Sequence, residues 1–454
     1  MQKTNTNDKM GTMPVNKLLV STALPMMISM LVQALYNVVD SLYVSRVNEE
    51  ALNAVSLAFP LQTLMIGVGI GTAVGTNAML SRHLGAREFE EADRSANTGL
   101  FLSILTSFLF AVIGLAFSRL YFSSITTNQT IVDYGTAYCT VCLCFSMGFF
   151  LQATFERMLT ATGRSRLAML CQVCGAVTNI ILDPVFIFGV EKLGIPRCEV
   201  LGAAIATVLG QFVGGGLALF FVLKKVNEIH LSFKKLRWHG PTAKQIYKIG
   251  VPSIIMQCVG SVMNYCMNLI LISFTETATA FFGVYYKLQS FIFMPVFGLN
   301  NGMVPIISYN YGAKKRDRLW KTVRLSLIIS ISIMCLGCLL FETIPGTLLS
   351  IFNAGETMLE IGTKGLRIIG VHFPIAGFCI IIGSVFQAVG NPTHSVIVSI
   401  CRQLLVLLPA TWLLGHFFGL DAVWFAFPIA EIVSCTFSTI FMFKTIKSVK
   451  QKIG

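Results

Sequence analysis

Long apolar stretches dominate this chain and limit the folds that are open to it. Of its 454 residues, 54% are hydrophobic and only 12% are charged. Apolar runs of about 18 or more residues, the length that an α-helix needs to cross a bilayer, recur along nearly the whole chain. Runs such as "LFLSILTSFLFAVIGLAF" lack the roughly ten-residue alternating segments of a transmembrane β-barrel. The sequence therefore predicts an all-α polytopic membrane protein.

Apolar runs and polar breaks together predict twelve transmembrane helices. Helices of this kind satisfy every backbone hydrogen bond within the segment, as a bilayer requires. The predicted spans are 17–45, 52–80, 95–120, 131–158, 167–189, 200–223, 247–273, 279–307, 322–344, 356–387, 394–418 and 422–443.

The basic residues are distributed unevenly between the two sets of loops. Alternate connections and both termini hold 26 of the 34 Lys and Arg residues, the other connections hold six, and Lys287 and Arg402 lie within spans. By the positive-inside rule the basic side is cytoplasmic, which places both termini inside the cell and the chain in the plasma membrane. Topology thus explains the net charge of +13 better than a nucleic-acid partner does.

Several functional classes find no support in the sequence. The polar residues 1–16 lack an apolar region and a cleavage site, so we expect no cleaved signal peptide. The six His and thirteen Cys residues lack metal-site spacing, and no nucleotide loop or nucleophile-base pair is present. In "GVGIGTAVGTN", Gly67, Gly71 and Gly75 instead have the spacing of close helix packing. We therefore expect neither an enzyme nor a bound cofactor.

The two halves of the chain repeat each other at a constant offset of 227 residues. Because each half has six spans, the second enters the membrane in the same orientation as the first, which gives two parallel repeats. Matching pairs include Pro25 with Pro252, Asn37 with Asn264, Gly71 with Gly298, Gly75 with Gly302 and Gly163 with Gly390. The predicted organisation is a tail over 1–16, an N-terminal lobe over 17–223, a basic linker over 224–246, a C-terminal lobe over 247–443 and a tail over 444–454.

Two like-oriented bundles form a cleft that can open alternately to either side, which is typical of secondary transporters. A channel is an alternative. Internal duplication with buried carboxylates in one half alone favours coupled transport over passive conduction.

Two carboxylates lie deep within predicted spans. Insertion of an acid at the bilayer centre costs about 2.5 to 3.5 kcal/mol, so each needs a partner or a function. Asp40 follows Gln33 and Asn37 on one helical stripe, and Asp183 follows Asn179 by one turn. Helical rise places both acids in the outer half of the membrane, where they can meet.

Further oxygen atoms are expected near the two acids. Thr207 lies at a comparable depth, and Pro184 leaves a backbone carbonyl without its helical partner. Such a cage suits a small cation, or a proton shared by the carboxylates. At the repeat offset Asp40 becomes Met267 and Asp183 becomes Ala410, so the fold itself does not require the acids. Structural hydrogen bonding between helices is the alternative role.

These features together resemble one known family. The segments "YNVVDSLYVSR", "GTNAMLSRHLGA", "ATGRSR", "NIILDPVFIFG" and "LGAAIAT" are similar to those of multidrug and toxic compound extrusion (MATE) transporters, particularly the bacterial DinF-like and MepA-like branch. The resemblance implies a V-shaped pair of six-helix lobes. It also implies export of cationic or amphiphilic compounds in exchange for Na⁺ or H⁺, with coupling through Asp40, Asn179 and Asp183. In some members a hydroxyl of the sixth helix completes the sodium site, and Thr207 matches it here.

The drug-binding surface is predicted from the same stripe and its repeat. We expect contributions from Gln33, Tyr36 and Asn37, and from Met263 and Asn264 in the second half. The expected partners are small cationic or amphiphilic drugs and membrane lipids, with the protein acting as a monomer. A flippase for lipid-linked sugars is the alternative, but it needs a strongly basic cavity, and the spans hold only Lys287 and Arg402.

Overall fold

The structure is a computed structural model that describes residues 9–190, 194, 196–232, 238–352 and 354–453. Parts of three predicted segments lie outside the described residues. These parts are residues 1–8 of the N-terminal tail, 233–237 of the basic linker and 454 of the C-terminal tail. Lys192, one of the six basic residues in the less basic set of loops, also lies outside the described residues.

The described residues are almost entirely helical. Ten helices are individually long and apolar enough to cross a membrane, and two bent helix pairs raise the total to twelve if each pair crosses once. The N-terminal lobe contains α1 (Val15–Ser45), α2 (Glu49–Ala86), α3 (Phe89–Ile125), α4 (Gln129–Cys144 and Met147–Ala161), α5 (Ser165–Phe188) and α6 (Glu199–Lys225). The C-terminal lobe contains α7 (Gly240–Ile272), α8 (Glu276–Gly312), α9 (Arg316–Thr343), α10 (Glu356–Gly370 and Phe373–Ala388), α11 (Pro392–Phe418, with a π-helical segment Cys401–Leu407) and α12 (Ala426–Ile453).

This architecture confirms the predicted fold class, although several helices are longer than the apolar runs. Helix α2 continues to Ala86 and α12 continues to Ile453, beyond their predicted ends at 80 and 443. The extra turns are rich in basic and other polar residues with good helix propensity, so the helices continue after they leave the apolar layer. Hydropathy marks the membrane boundary, and the helix end depends on local capping.

The two lobes repeat each other in backbone detail. Arg87 after α2 and Lys314 after α8 both adopt the left-handed conformation, with φ of 61° and 56°. Gly163 and Gly390 share positive φ values of 77° and 85°. Both pairs are separated by the offset of 227, and the bends within α4 and α10 are similar, at 43° and 49°. The internal repeat is therefore structural as well as sequential.

Glycines form the contact between the lobes. A Cβ atom on Gly71 of α2 would lie 2.7 Å from the carbonyl oxygen of Gly250 on α7 and would collide with Ile254. The symmetry-related Gly298 of α8 approaches the backbone of Met27 on α1 in the same way. Small residues allow this backbone approach, and van der Waals contact then holds the helices together in lipid.

All of these close approaches lie at one end of the molecule. Residues 22–27 of α1, 71–86 of α2, 246–254 of α7 and 298–312 of α8 supply them. This end, where α1 begins and α12 ends, is called the termini face below, and the contact is called the seam. The lobes are thus closed against each other at the termini face.

We expect Gly75→Ala to destabilise the seam, because its Cβ would collide with the carbonyl oxygen of Ile246. Overpacking of this kind costs about 1–3 kcal/mol, which thermal unfolding in detergent would detect as a lowered Tm. Gly283→Ala on α8 is the matched control, since nothing lies within 4 Å of its Cβ position. That substitution should raise stability by about 0.5–1 kcal/mol through helix propensity. Equal shifts for the two variants would contradict the assigned role of the seam.

Candidate functional site

Helices α5 and α6 pack through glycines, and this contact positions the predicted site. The Cβ position of Gly175 lies 2.9 Å from the carbonyl oxygen of Gly210, and that of Gly210 lies 2.7 Å from the carbonyl oxygen of Gly175. Asn179 is one turn beyond Gly175, and Thr207 is about one turn from Gly210 on the facing helix. The close backbone approach therefore brings these two short side chains within hydrogen-bonding distance.

Asn179 is the centre of the resulting network. Its Nδ2 atom donates to Oδ1 of Asp183 and to Oγ1 of Thr207, both at 3.2 Å. All three residues are buried, with Asp183 fully inaccessible to solvent. A buried carboxylate with a single neutral donor is only partly compensated, so further positive charge is favoured here.

Helix α1 contributes Asp40 and Tyr36 to the same region. Asp40 lies close enough to Asp183 for the two carboxylates to interact electrostatically, and Tyr36 is near both acids. Tyr36 also lies close to Thr207. The structure therefore brings together the four residues predicted for coupling, from helices α1, α5 and α6.

Three oxygen atoms in this region have no hydrogen-bond partner among the described residues. They are Oδ1 of Asp40, Oδ1 of Asn179 and Oδ2 of Asp183, and each is buried. A buried acceptor without a partner costs about 1–3 kcal/mol. Two carboxylates, an amide and a hydroxyl form an oxygen-rich donor set of the kind that binds Na⁺ or a proton in transporters. The residues present therefore fit the expected coupling ion.

Two further residues adjoin this network and were not predicted from the sequence. Gln62 of α2 donates through Nε2 to the hydroxyl of Tyr138 on α4 at 3.1 Å, and Tyr138 is buried within electrostatic range of Asp40 and Tyr36. Gln62 has a repeat partner, Gln289, but a neutral amide in a span carries a weaker signal than a carboxylate. Tyr138 has no signal of its own, because most aromatic residues in such helices face lipid or packed neighbours.

The predicted drug-binding residues occupy differing environments. Gln33 accepts a hydrogen bond from Nε2 of Gln172 at 2.7 Å, and Asn37 is exposed. Met263 is buried in the apolar cluster of the C-terminal lobe, while the half-buried Asn264 accepts a hydrogen bond from Asn268 at 3.3 Å. Asn37 is thus the most accessible of the predicted drug-binding residues, and Met263 is the least.

Comparison with known proteins identifies the family. The MatE sequence profile matches the chain twice, over residues 25–185 and 252–413, once in each lobe. The chain belongs to the MatE family. Among related proteins, the multidrug export protein MepA of Staphylococcus haemolyticus (strain JCSC1435) is 25% identical over 95% of this chain and 94% of its own length.

Solved structures of MATE proteins share the fold. A MATE protein in complex with MaL6 superposes with a TM-score of 0.90 at 26% identity and covers 96% of this chain and 97% of its own. An outward-facing multidrug resistance MATE transporter of the MOP superfamily gives 0.90 at 25% identity, with the same coverage. This MATE chain is therefore a helical membrane transporter and not an enzyme, as the sequence predicted.

Among the described residues, the C-terminal lobe of this MATE chain has no equivalent of the oxygen-rich site. Met267, at the repeat position of Asp40, is fully buried, and its sulfur accepts a hydrogen bond from the hydroxyl of Thr411 at 3.4 Å. An apolar side chain fills the position that the carboxylate occupies in the other lobe. The repeat is therefore symmetric in backbone and asymmetric in chemistry.

One expectation about buried charge requires correction. Buried carboxylates are not confined to the first half, because Glu431 of α12 is only 3% exposed. Its Oε2 atom accepts a hydrogen bond from Nη1 of Arg402 at 3.3 Å, and Arg402 lies in the π-helical segment of α11. The sequence left the partner of Arg402 open, because acid and base are 29 residues apart on different helices. Lys287 instead lies 6.0 Å from the ring centre of Phe352.

We expect loss of one partner of the ion pair between Arg402 and Glu431 to destabilise the protein more than replacement of both. Glu431→Gln leaves the half-buried guanidinium without a counter-charge and should lower stability by about 3 kcal/mol. The double variant Arg402→Met with Glu431→Leu should recover most of that loss in a thermal unfolding assay. Glu91→Gln is the control, because its pair with Arg94 is exposed and should contribute less than about 1 kcal/mol. A double variant no more stable than Glu431→Gln would contradict this prediction.

Proposed function

We propose that this protein exports cationic or amphiphilic compounds by alternating access, in exchange for inward movement of Na⁺ or H⁺. The observation that carries the proposal is the set of three buried oxygens without partners on Asp40, Asn179 and Asp183. Single buried acceptors without a partner occur elsewhere among the described residues, as at Oε1 of Glu431, but here three converge beside two carboxylates, as a cation site requires. The multidrug export function in the name of the related MepA protein supports the same reading of the cleft.

The ion is proposed to bind in the N-terminal lobe, beside the drug path that runs between the lobes. Asp40, Asn179, Asp183 and Thr207 would hold a sodium ion, or the two carboxylates would share a proton. Either charge moves inward with the membrane potential, which supplies about 2.3 kcal/mol per charge per 100 mV. Once the ion has left, the same carboxylates would attract the cationic drug. The ion and the drug would therefore compete for the negative charge of this site.

The proposed orientation places the termini face in the cytoplasm. The uneven distribution of Lys and Arg between the loops supports it. Because the lobes meet at the termini face, the structure then corresponds to a state open to the outside. Gln33, Tyr36 and Asn37 on α1, with Met263 and Asn264 on α7, are proposed to line the drug path between the lobes.

The structure gives less support to the flippase alternative. A pyrophosphate-linked lipid would need an excess of positive charge within the spans. Arg402 is compensated by Glu431 at 3.3 Å, and Lys287 is exposed and lies beside an aromatic ring. The charge of the C-terminal lobe interior is therefore close to balanced.

Efflux of a fluorescent lipophilic cation from proteoliposomes, under separately imposed Na⁺ and H⁺ gradients, tests the proposal. We expect Asp40→Asn and Asp183→Asn to abolish gradient-driven efflux, since each removes a charge that the ion requires. Asp133→Asn is the matched control, because that acid is exposed and pairs loosely with Arg119 at 3.7 Å. The gradient that drives the wild type identifies the ion. Unchanged coupling in both site variants would overturn the assigned site.

A second test alters only the spacing of the site. Gly210→Ala should push α5 and α6 apart, because the new Cβ would lie 2.7 Å from the Gly175 carbonyl oxygen. Loss of the bond between Asn179 and Thr207 should weaken ion binding about five- to tenfold. The matched change Gly216→Ala, on the same helix with nothing within 4 Å, should leave it unaffected. The ion concentration for half-maximal efflux is the measurement, and equal values for the two variants would count against a positioning role for this contact.

A further inference from the structure

A cavity of about 640 Å³ opens at the termini face, directly on the seam between the lobes. Arg82, near the end of α2, lines it from the N-terminal lobe. Lys248 of α7, Lys314 after α8 and Lys452 of α12 line it from the C-terminal lobe. Neither lobe forms this cavity alone, and it lies where the helices leave the apolar layer.

The charge of this cavity is positive, because its lining holds four basic residues and one acid. No described residue accepts a hydrogen bond or forms an ion pair with the side chains of Arg82, Lys248, Lys314 or Lys452. The one acid in the lining, Glu88, forms a hydrogen bond with His83, with 2.7 Å between Oε2 and Nδ1. Four cations therefore converge on the cavity against a single carboxylate, that of Glu88.

Arg82 is also held in place across the seam. Its guanidinium carbon lies 5.2 Å from the centre of the Tyr311 ring, which belongs to the other lobe and is only 5% exposed. A cation–π contact of this kind helps to position the guanidinium, and its N–H donors have no acceptor among the described residues. The tight backbone contacts of Gly85 with Tyr309 and of Gly312 with Arg82 fix the cavity wall beside it.

Electrostatics favours an anion at this place. Closure of the seam brings Arg82 of one lobe towards the lysines of the other, and the repulsion opposes closure. An anion between them offsets that repulsion and binds the closed seam better than the open one, so it shifts the equilibrium towards closure. Basic pockets between helices at the cytoplasmic surface are suited to phospholipid headgroups.

We propose that this cavity binds a phosphate-bearing anion, the headgroup of an anionic phospholipid, which bridges the two lobes and stabilises the closed seam. The phosphate would lie among Arg82, Lys248 and Lys314, with Lys452 at its margin, while the acyl chains remain in the bilayer. The site is separate from the ion and drug sites of the proposed function, and its binding test does not depend on transport.

The test uses the full-length protein in nanodiscs of phosphatidylcholine with or without phosphatidylglycerol, followed by native mass spectrometry of the lipid that it retains. The variant Lys248→Gln with Lys314→Gln removes two charges from the cavity. The control, Lys224→Gln with Lys225→Gln, removes two exposed charges at the end of α6 on the same face. Since each basic residue contributes about fivefold in affinity, the cavity variant should bind phosphatidylglycerol roughly 25-fold more weakly, and the control should match the wild type.

Hydrogen exchange of the seam helices provides the second readout. In phosphatidylglycerol, the seam segments of α2 and α8 should exchange more slowly in the wild type than in the cavity variant. Equal lipid retention by the cavity and control variants would overturn the proposal. The lysines would then act only through the positive-inside rule, which sets the orientation of the chain in the membrane. If inorganic phosphate or glycerol phosphate slows exchange in the wild type but not in the cavity variant, and lipid does not, the phosphate site stands and the lipid source is wrong. If neither anion slows exchange in the wild type, the bridging role is wrong.

Discussion

Inside a bilayer, a polar group must find its partner within the protein, and this constraint governs the whole structure. It makes every span helical and directs polar side chains to the interior of each lobe. Arg402 meets the requirement with Glu431, and Asn179 does so in part with Asp183 and Thr207. Buried acceptors without a partner remain at several places among the described residues, but near Asp40 three of them converge beside two carboxylates, which indicates a place for a ligand.

The contact between the lobes follows from a second consequence of the bilayer, the absence of a strong hydrophobic force between helices in lipid. Association then depends on close backbone approach, which glycine permits. Gly71 and Gly298 permit this approach at positions related by the repeat, and both lie towards the termini face. A seam built from backbone contacts at one end leaves the other end free to separate, so rocking of one lobe on the other requires little repacking. The converging cations at the seam make the stability of the closed state sensitive to anions.

Most of the fold could be predicted from the sequence, because hydropathy and duplication are linear features. Twelve apolar runs, the offset of 227 and the glycine spacing of α2 are all visible in one dimension. Asp40 and Asp183 were equally visible, since a charge in a span is rare and costly. Gln62 and Tyr138 were not, because neutral side chains in apolar helices carry little information about their neighbours. The partner of Arg402 could not be assigned either, because the π-helical turn that carries Arg402 changes which face the side chain presents.

The sequence by itself determined the class of the protein, the number and order of its spans, the parallel repeat and the two carboxylates that need an explanation. These follow from composition and period, since the cost of burying charge and backbone in lipid depends only on residue type. The tertiary structure alone decided which side chains meet: Asn179 with Thr207, Arg402 with Glu431, and Arg82 with Tyr311 across the seam. Such pairs depend on helix rotation and crossing, which are set by packing of all the helices together and leave no local trace in the chain.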